Sequence, residues 1–208
     1  MMKIIKICFL GVMLLAVSCA TVKKFPLVQN GKPTSCIVLA ENADPIEKHA
    51  AAELAMFIKK TSGAEVKIAN KEIEGFYPVY LKTDDRLDGV SDQGFAIKSG
   101  KNGLYITGKK PIGVLYGVYD FLEKYVGYRW FAPYDGCEFT PRAKTITIAG
   151  NMDDRQSPSF EYRVPYPTGG NVFAGQGATN TWNWLVRNKM QIVIWSGGYE
   201  MYRPPEMF

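Results

Sequence analysis

The sequence predicts an α/β two-layer sandwich, in which helices cover one face of a mixed sheet. Apolar residues recur at helical spacing in two stretches, from Asp44 to Gly63 and from about Ile112 to Tyr125. Between them, apolar residues alternate with polar ones in short runs, as in half-buried strands. The resulting order is strand, helix, several strands, helix, strand, which favours one sheet packed against a helical layer. Hydrophobic residues make up 47% of the 208-residue chain, enough to bury a core.

The N-terminal segment has the pattern of a bacterial lipoprotein signal. Lys3 and Lys6 precede an apolar run, Ile7 to Val17, that is too short to span a bilayer. The run ends at Ala16-Val17-Ser18-Cys19, which resembles a lipobox, so we expect residues 1–18 to be removed and Cys19 to be lipidated. Several acyl chains on one cysteine give stable anchoring. The alternative is an ordinary signal peptide in which Cys19 is incidental.

The predicted compartment is the cell envelope. Ala20 follows the cysteine, with no Asp there to indicate inner-membrane retention, so we expect an outer-membrane lipoprotein that faces the periplasm or the cell surface. This compartment permits disulfides. Cys36 and Cys137 either pair or remain buried free thiols.

The distribution of charge leads us to expect no nucleic-acid partner. The formal net charge is +5, and two of the lysines that contribute to it lie in the predicted leader. The remaining lysines are scattered among acidic residues and form no basic stripe with interleaved aromatics.

The first structural elements are a tether, a strand and a well-signalled helix. Residues 19–34 are predicted to form a polar tether, and Cys36 to Ala40 a short apolar strand. Asp44-Pro45-Ile46-Glu47 combines an N-cap, proline at the first helical position and the acid of a capping box. Gly63 ends the helix, after lysines that face the negative end of its dipole. Its predicted buried stripe consists of Ile46, Ala50, Leu54, Phe57 and Ile58.

The middle of the chain is predicted to supply most of the sheet. The alternating pairs are Val66 and Ile68, Val79 and Leu81, Phe95 and Ile97, and Leu104 and Ile106. Gly100-Lys101-Asn102-Gly103 predicts a tight hairpin. Thr145 to Ile148 is predicted to form a final strand.

The stretch from Gly113 to Pro133 combines a helix with an aromatic run. Its apolar face runs to Tyr125, Gly127 supplies the stop, and Asp120, Glu123 and Lys124 are predicted on the wet face. Tyr128-Arg129-Trp130-Phe131 then leaves the helix. One interpretation is a core helix with an aromatic plug behind it. The other is that Arg129 and Trp130 face a second domain or a sugar.

The character of the chain changes after residue 150. A polar linker, Asp153 to Pro158, precedes a predicted strand, Phe160 to Pro165, and a long loop, Thr168 to Thr181. A helix from Trp182 to Lys189 and a strand from Gln191 to Trp195 complete a β-loop-α-β pattern, the opening of a parallel α/β unit. These elements bury too little to stand alone, so we expect them to pack on the first domain or to remain mobile.

Three motifs carry a resemblance to a known family. They are AAELAMFIKKTSG in the first helix, GFAIKSGKNGLYITG in the hairpin and GVLYGVYDFLEKYVGYRWFAP around the second helix. In this order they resemble the accessory N-terminal domain of bacterial α-glucuronidases and family-20 β-N-acetylhexosaminidases. The resemblance covers about Cys36 to Ile148, which implies an accessory domain over residues 35–150.

The resemblance also implies a second domain, a catalytic barrel. In those families a (β/α)₈ barrel comes after the accessory domain, so SPSFEYR would lead into the first barrel strand, and residues 151–208 would be a linker and the truncated start of a TIM barrel. Barrel glycosidases place their catalytic groups at the C-terminal ends of several strands, and hydrolysis usually needs two carboxyl groups. With only two of eight strands present, the family's acid and base positions are absent and no catalytic residue is assigned.

Other catalytic chemistries lack the residues they need. His49 is the only histidine and lies within a helix, where a structural role is expected. We therefore expect neither a metal site nor a cofactor.

Two functions remain open. The first is the lipid-anchored N-terminal part of an α-glucuronidase-like glycoside hydrolase in polysaccharide breakdown, inactive as this chain alone. Its candidate substrate contacts are Arg163, Trp182, Asn183 and Trp195. The second is a non-catalytic cell-surface lipoprotein that binds glycan or a protein partner through Tyr128, Arg129 and Trp130.

Overall fold

The computed structural model describes residues 22–163 and 176–191. The predicted signal segment, Cys19 and Trp195 lie outside these residues. The strands are β1 (Lys24–Gln29), β2 (Lys32–Pro33), β3 (Ser35–Val38), β4 (Lys67–Ala69), β5 (Tyr77–Thr83), β6 (Phe95–Gly100), β7 (Gly103–Gly108), β8 (Arg129–Trp130), β9 (Glu138–Phe139), β10 (Ile146–Ala149) and β11 (Asp153–Gln156). The helices are α1 (Pro45–Ser62), α2 (Pro111–Phe121) and α3 (Gln176–Arg187).

A six-stranded mixed sheet forms the centre of the fold, as the sequence predicts. Its strand order is β11-β6-β7-β5-β3-β4. Strands β7, β5, β3 and β4 are parallel neighbours, whereas β6 pairs antiparallel with both β7 and β11. The predicted hairpin joins β6 to β7, with Gly100 opposite Gly103. The mixed α/β class is confirmed, and the described residues contain no closed barrel.

Helix α1 begins and ends where its sequence signals place it. The Ile46 amide donates to Asp44 Oδ1 over 2.8 Å, and the Asp44 amide donates to Glu47 Oε2 over 3.0 Å, which completes the capping box. Gly63 ends the helix in the left-handed region, with φ of 82°. The predicted stripe is buried, except that Ile46 is half-buried.

Helix α2 packs beside α1 and against strands β7, β6 and β5 of the main sheet, and glycine permits this close approach. A Cβ at Gly113 would lie 2.4 Å from the Gly94 carbonyl oxygen, and one at Gly117 would lie 2.7 Å from Ile106 Cγ2. The helix then widens into a π-helical turn, Leu122–Val126, before the left-handed Gly127. The regular 3.6-residue period does not reveal this π turn, because the turn inserts extra backbone between bonded groups.

The segment predicted as a tether is largely a strand. Lys24–Gln29 form β1 of a second, three-stranded sheet with the order β10-β1-β2, and Leu27 and Val28 are fully buried. Asn30 and Gly31 both have positive φ, at 52° and 76°, because they make the tight turn from β1 to β2. The Asn30-Gly31 pair, which is typical of a tight turn, therefore joins two paired strands.

The predicted linker after residue 150 is also a strand in part. Asp153–Gln156 form β11, which pairs antiparallel with β6 at the edge of the main sheet. Polar side chains are typical of such an edge position, where one side of the strand faces water. The predicted strand Phe160 to Pro165 is absent from its described part, Phe160 to Arg163.

Helix α3 begins earlier than predicted, at Gln176 and therefore within the predicted loop. Its Leu185 and Val186 side chains are buried, and Val186 belongs to the main hydrophobic core. The prediction that residues beyond 150 pack on the first domain is thus correct for this helix. No helix in residues 22–163 and 176–191 combines the length and apolarity needed to cross a membrane.

Candidate functional site

An open groove of about 460 Å³ lies between the β8–β9 hairpin and helix α3. We call it the hairpin groove. It is lined by Lys60, Trp130, Ala132, Pro133, Tyr134, Asp135, Gly136, Glu138, Thr140, Asn183, Trp184 and Arg187. Two predicted residues from different candidate sets, Trp130 and Asn183, therefore lie on the same groove. The hairpin supplies one wall and α3 supplies the other.

The aromatic run behind α2 packs into the core. Tyr128 is fully buried and Trp130 is 7% exposed. The Trp130 ring stacks on Tyr128 at 5.8 Å between centroids and meets Phe57 edge-on at 5.3 Å. The interpretation as an aromatic plug therefore holds for these two rings, and neither presents a face for a partner to stack on.

Arg129 is the exposed member of the run. Its Nη1 donates to the Glu123 carbonyl over 2.7 Å and to the Tyr128 carbonyl over 2.6 Å. Its side chain is about half exposed and lies 4.0 Å from the Glu123 carboxylate. The guanidinium closes the end of the π-helical turn, where backbone carbonyls collect.

Three exposed aromatic rings lie on the β8–β9 hairpin or next to it, and one of them, Tyr134, lines the groove. Phe131 is 68% exposed, Tyr134 is 67% exposed and Phe139 is 53% exposed. All three belong to the hairpin or border it. The available signal was three aromatic residues within a turn-rich segment that lacks the spacing of a strand or helix.

The cations that line the groove already have acidic partners. Lys60 Nζ lies 3.3 Å from Glu138 Oε1 on the β9 strand. Arg187 Nε lies 3.1 Å from Glu53 Oε2 on α1. The groove wall therefore combines the paired charges of Lys60, Glu138 and Arg187 with the Asp135 carboxylate, aromatic rings, an amide and hydroxyl groups.

A buried hydrogen-bond network supports the α3 wall. The Tyr119 hydroxyl donates to Glu53 Oε2 over 2.9 Å, on the same carboxylate that Arg187 contacts. Burial raises the pKa of Tyr119 well above its ordinary value, and the neighbouring Glu53 carboxylate raises it further. Burial disfavours the charge of Arg187, but the Glu53 carboxylate more than offsets this, and the pKa of Arg187 is raised.

Arg163 lies away from the hairpin groove, in a smaller cavity of about 230 Å³. Its guanidinium donates to Lys189 O over 2.9 Å, to Phe160 O over 2.7 Å and to Gln93 Oε1 over 2.8 Å. It also lies over the Tyr116 ring, 5.6 Å from the centroid. Arg163 therefore ties together segments of this chain in the described structure.

The remaining predicted site residues are divided between the groove and the body of the fold. Asn183 lines the hairpin groove, whereas Trp182 is half-buried on α3 and does not line it.

Cys36 and Cys137 are free thiols, so these two cysteines do not form a disulfide. Within the described ranges, no group of three or more His, Cys, Asp or Glu side chains is arranged to hold a metal ion.

Asp120 is buried, contrary to the prediction that it faces water. Its Oδ1 accepts from Lys189 Nζ over 3.1 Å, and its Oδ2 lies 2.9 Å from Lys124 Nζ. The side chain is exposed on an isolated helix, but it is covered because the segment after α3 packs against α2. The periodicity of the sequence does not predict that contact between α2 and the segment after α3.

Comparison with known proteins gives a family match for part of the chain. Residues 23–121 match the profile of the family described as Glycosyl hydrolase family 67 N-terminus. This match confirms the resemblance to a glycoside-hydrolase accessory domain, and the matched residues include β1. No curated protein matches the chain.

Solved structures with a similar fold include a family GH115 4-O-methyl-α-glucuronidase with specificity for decorated arabinogalactans, at 16% identity and a TM-score of 0.57 over 80% of this chain. The Streptomyces plicatus N-acetyl-β-hexosaminidase matches at 16% identity and a TM-score of 0.47 over 68% of this chain. The Streptomyces coelicolor GH20 β-N-acetylhexosaminidase matches at 16% identity and 0.49 over 69%. The chain spans about a quarter of the length of each, 25%, 25% and 26% respectively.

Proposed function

We propose that the chain is the lipid-anchored N-terminal part of an α-glucuronidase-like glycoside hydrolase that takes part in polysaccharide breakdown. The observation that carries the proposal is the match of residues 23–121 to the N-terminal family of glycosyl hydrolase family 67. The similar fold of the GH115 α-glucuronidase supports the accessory-domain assignment. A fold by itself does not specify a reaction, so the activity has to be tested directly.

A second part of the proposal is that this chain alone hydrolyses no glycoside. Hydrolysis usually needs two carboxyl groups on opposite sides of the scissile bond, and barrel enzymes hold them at strand ends. In the hairpin groove, Glu138 is paired with Lys60, and the carboxylate of Glu53 is paired with Arg187 behind the groove wall. These acids are committed to structural contacts.

The decisive experiment is to read the frame downstream of the Phe208 codon and to measure the mass of the native protein. A longer frame that encodes a barrel, with activity of the long product on aryl-glycosides or glucuronoxylan, supports the proposal. The 208-residue chain should show no activity in the same assays. A native mass that corresponds to a chain ending at Phe208 overturns it.

Substituting Cys19 and Cys8 one at a time tests the lipid anchor. Cys19→Ala should abolish incorporation of labelled palmitate and release the protein from the membrane fraction, because the acylated thiol is lost. Cys8→Ala is the matched control, since Cys8 lies inside the apolar run, and it should leave labelling unchanged. Retention of the label in Cys19→Ala excludes this anchor.

A second candidate function is glycan binding without catalysis, at the hairpin groove. The observation that favours it is the exposed ring of Tyr134, which lines the groove together with Asn183 and Thr140. Aromatic faces take the apolar side of a sugar ring, while amide and hydroxyl groups take its hydroxyls.

Affinity electrophoresis against a panel of polysaccharides tests this second candidate. Tyr134→Ala should weaken retardation of the full chain by at least several-fold, whereas Phe160→Ala should not, although Phe160 is equally exposed. Absence of retardation by every glycan, or equal effects of both changes, removes this candidate.

A further inference from the structure

We propose that the helical face of the accessory domain is a receptor for helix α3, and that the partly buried ion pairs of Arg187 and Lys189 make docking depend on these two residues. The structural domain would then include residues 176–191 and would not end at residue 150. The proposal concerns contacts within this chain. It therefore stands or falls independently of any glycosidase activity.

The first ion pair connects α3 to α1. Arg187 contacts both oxygens of Glu53, with Nε 3.1 Å from Oε2 and Nη2 3.4 Å from Oε1. The Glu53 side chain is 9% exposed and that of Arg187 is 18% exposed. The guanidinium also lies over the Phe57 ring, 5.0 Å from its centroid. A planar cation that contacts a carboxylate with two nitrogens and stacks on an aromatic ring is held in position and orientation.

The second ion pair connects the residues just after α3 to α2. Lys189 Nζ lies 3.1 Å from Asp120 Oδ1 and 2.9 Å from Glu123 Oε2. Asp120 is almost fully buried, whereas Glu123 is about one-third exposed. Lys189 itself has positive φ, at 58°, a conformation that a non-glycine residue adopts only where surrounding contacts hold it.

Backbone carbonyls of both partners complete the interface. The Trp130 carbonyl accepts from Trp184 Nε1 over 3.0 Å and from Asn188 Nδ2 over 3.2 Å. The Tyr116 hydroxyl donates to the Met190 carbonyl over 3.2 Å. Three successive parts of the accessory domain, α1, α2 and the β8 strand, therefore bind one short segment.

The charges on the two sides are complementary. The accessory domain contributes carboxylates at Glu53, Asp120 and Glu123, and the docked segment contributes Arg187 and Lys189. Without Arg187, the nearly buried Glu53 carboxylate would lose the cation that compensates its charge, whereas without Lys189 the Asp120 carboxylate would keep Lys124. The Glu53 carboxylate of the receptor face therefore lacks its cationic partner when the basic segment is undocked. A segment without Arg187 and Lys189 should not bind this face.

Docking also builds the hairpin groove. Asn183, Trp184 and Arg187 form the α3 wall, and Arg187 is the residue that holds α3 to α1. Undocking of α3 removes that wall. The groove is therefore a composite site, and its existence reports whether α3 is bound to the accessory domain.

Hydrogen exchange of the full chain, read by mass spectrometry, tests the proposal. We expect Arg187→Met and Lys189→Met each to raise the exchange rate of amides in residues 181–191 by more than tenfold. Amides of the β6–β7 hairpin should keep their rates, because the two strands bond to each other and to β5 and β11, not to α3. Glu53→Gln should match Arg187→Met, and combining the two should add little, since both remove the same interaction.

Lys98→Met is the matched control. It breaks the Lys98–Asp153 pair, which is 3.1 Å long and exposed on both sides, so exchange in residues 181–191 should stay unchanged. Unchanged exchange in both Arg187→Met and Lys189→Met overturns the proposal. An equal rise in the β6–β7 hairpin overturns it as well, because the pairs would then maintain the whole fold and not the docking of α3.

Discussion

At the scale of single residues, the hydroxyl of Tyr119 tests how much the buried network stabilises the fold. Tyr119→Phe keeps the ring among its aromatic neighbours but removes the donor to Glu53 Oε2. We expect a loss of about 1–2 kcal/mol in the free energy of unfolding by urea, because a buried charged acceptor loses one partner. Tyr134→Phe, at an exposed ring, should change it by less than about 0.5 kcal/mol. Equal values for both variants would contradict the network.

The single histidine gives a pH dependence with a definite sign. Burial lowers the pKa of His49 below its ordinary value of 6.5; the nearby Glu53 carboxylate opposes this shift and Arg187 adds to it. The folded protein therefore binds fewer protons than the unfolded chain just below pH 6.5. The stability that neutral His49 provides is complete above that pH and is lost as the pH falls through 6.5 towards the lowered value.

The measurement is the urea midpoint between about pH 7.5 and 5.5, together with an NMR titration of the imidazole. We expect the midpoint to fall over this range and the fall to be smaller in His49→Gln. The NMR signal is unambiguous because the chain has one histidine. A folded-state pKa at or above 6.5 would show that the sign is wrong.

At the scale of elements, the start of α1 is the sharpest local signal in the chain. Asp44→Ala removes the acceptor for the Ile46 amide and one half of the capping box. We expect the free energy of unfolding to fall by about 1 kcal/mol, measured with urea. Asp85→Ala, in an exposed turn, is the control and should have little effect. If the cap contributed nothing, Asp44→Ala and Asp85→Ala would have the same free energy of unfolding.

Helix α2 shows the opposite relation between propensity and packing. In an isolated helix Gly113→Ala stabilises by about 1 kcal/mol, because alanine is the better helix former. Here the new methyl would lie 2.4 Å from the Gly94 carbonyl oxygen, so the helix must move away from β6. We expect a net destabilisation of about 1–3 kcal/mol in urea unfolding.

Gly100→Ala is the matched control for this prediction. A Cβ at Gly100 has no neighbour within 4 Å and its φ is not positive, so the change in stability should be within about 0.5 kcal/mol. If Gly113→Ala is stabilising, the close approach of α2 to β6 is not what selects glycine there.

At the scale of the whole molecule, the contacts of α3 predict one cooperative unit. Trp130 lies in the core and Trp184 donates to its carbonyl, so tryptophan fluorescence reports on the interface between α3 and the first domain. We expect fluorescence and far-ultraviolet circular dichroism to give coincident thermal transitions. An early fluorescence transition, before the loss of circular dichroism, would show that α3 separates first.

The same scale explains why two stretches predicted to lack regular structure contain strands. Residues 19–34 were predicted to be a tether, and residues 153–158 a linker, because both stretches are polar. In the structure β1 and β11 are paired strands, one in each of the larger sheets. An edge strand, or a strand of a small three-stranded sheet, can carry polar residues, because only one side or one face of that strand is buried.

The sequence alone determined the features whose causes are local. The capping box of α1, the β6–β7 turn, the left-handed glycines after both long helices and the alternating strands all depend on neighbouring residues, so the α/β class and the accessory-domain resemblance could be read directly. Tertiary structure alone decided which helix faces meet. Asp120 was predicted to face water and instead binds Lys189, and Tyr128 and Trp130 turned inward, leaving Tyr134 exposed at the groove. Burial of a helix face depends on its packing partner, and here that partner is distant in the chain, as in the Lys189–Asp120 bond with its separation of 69 residues.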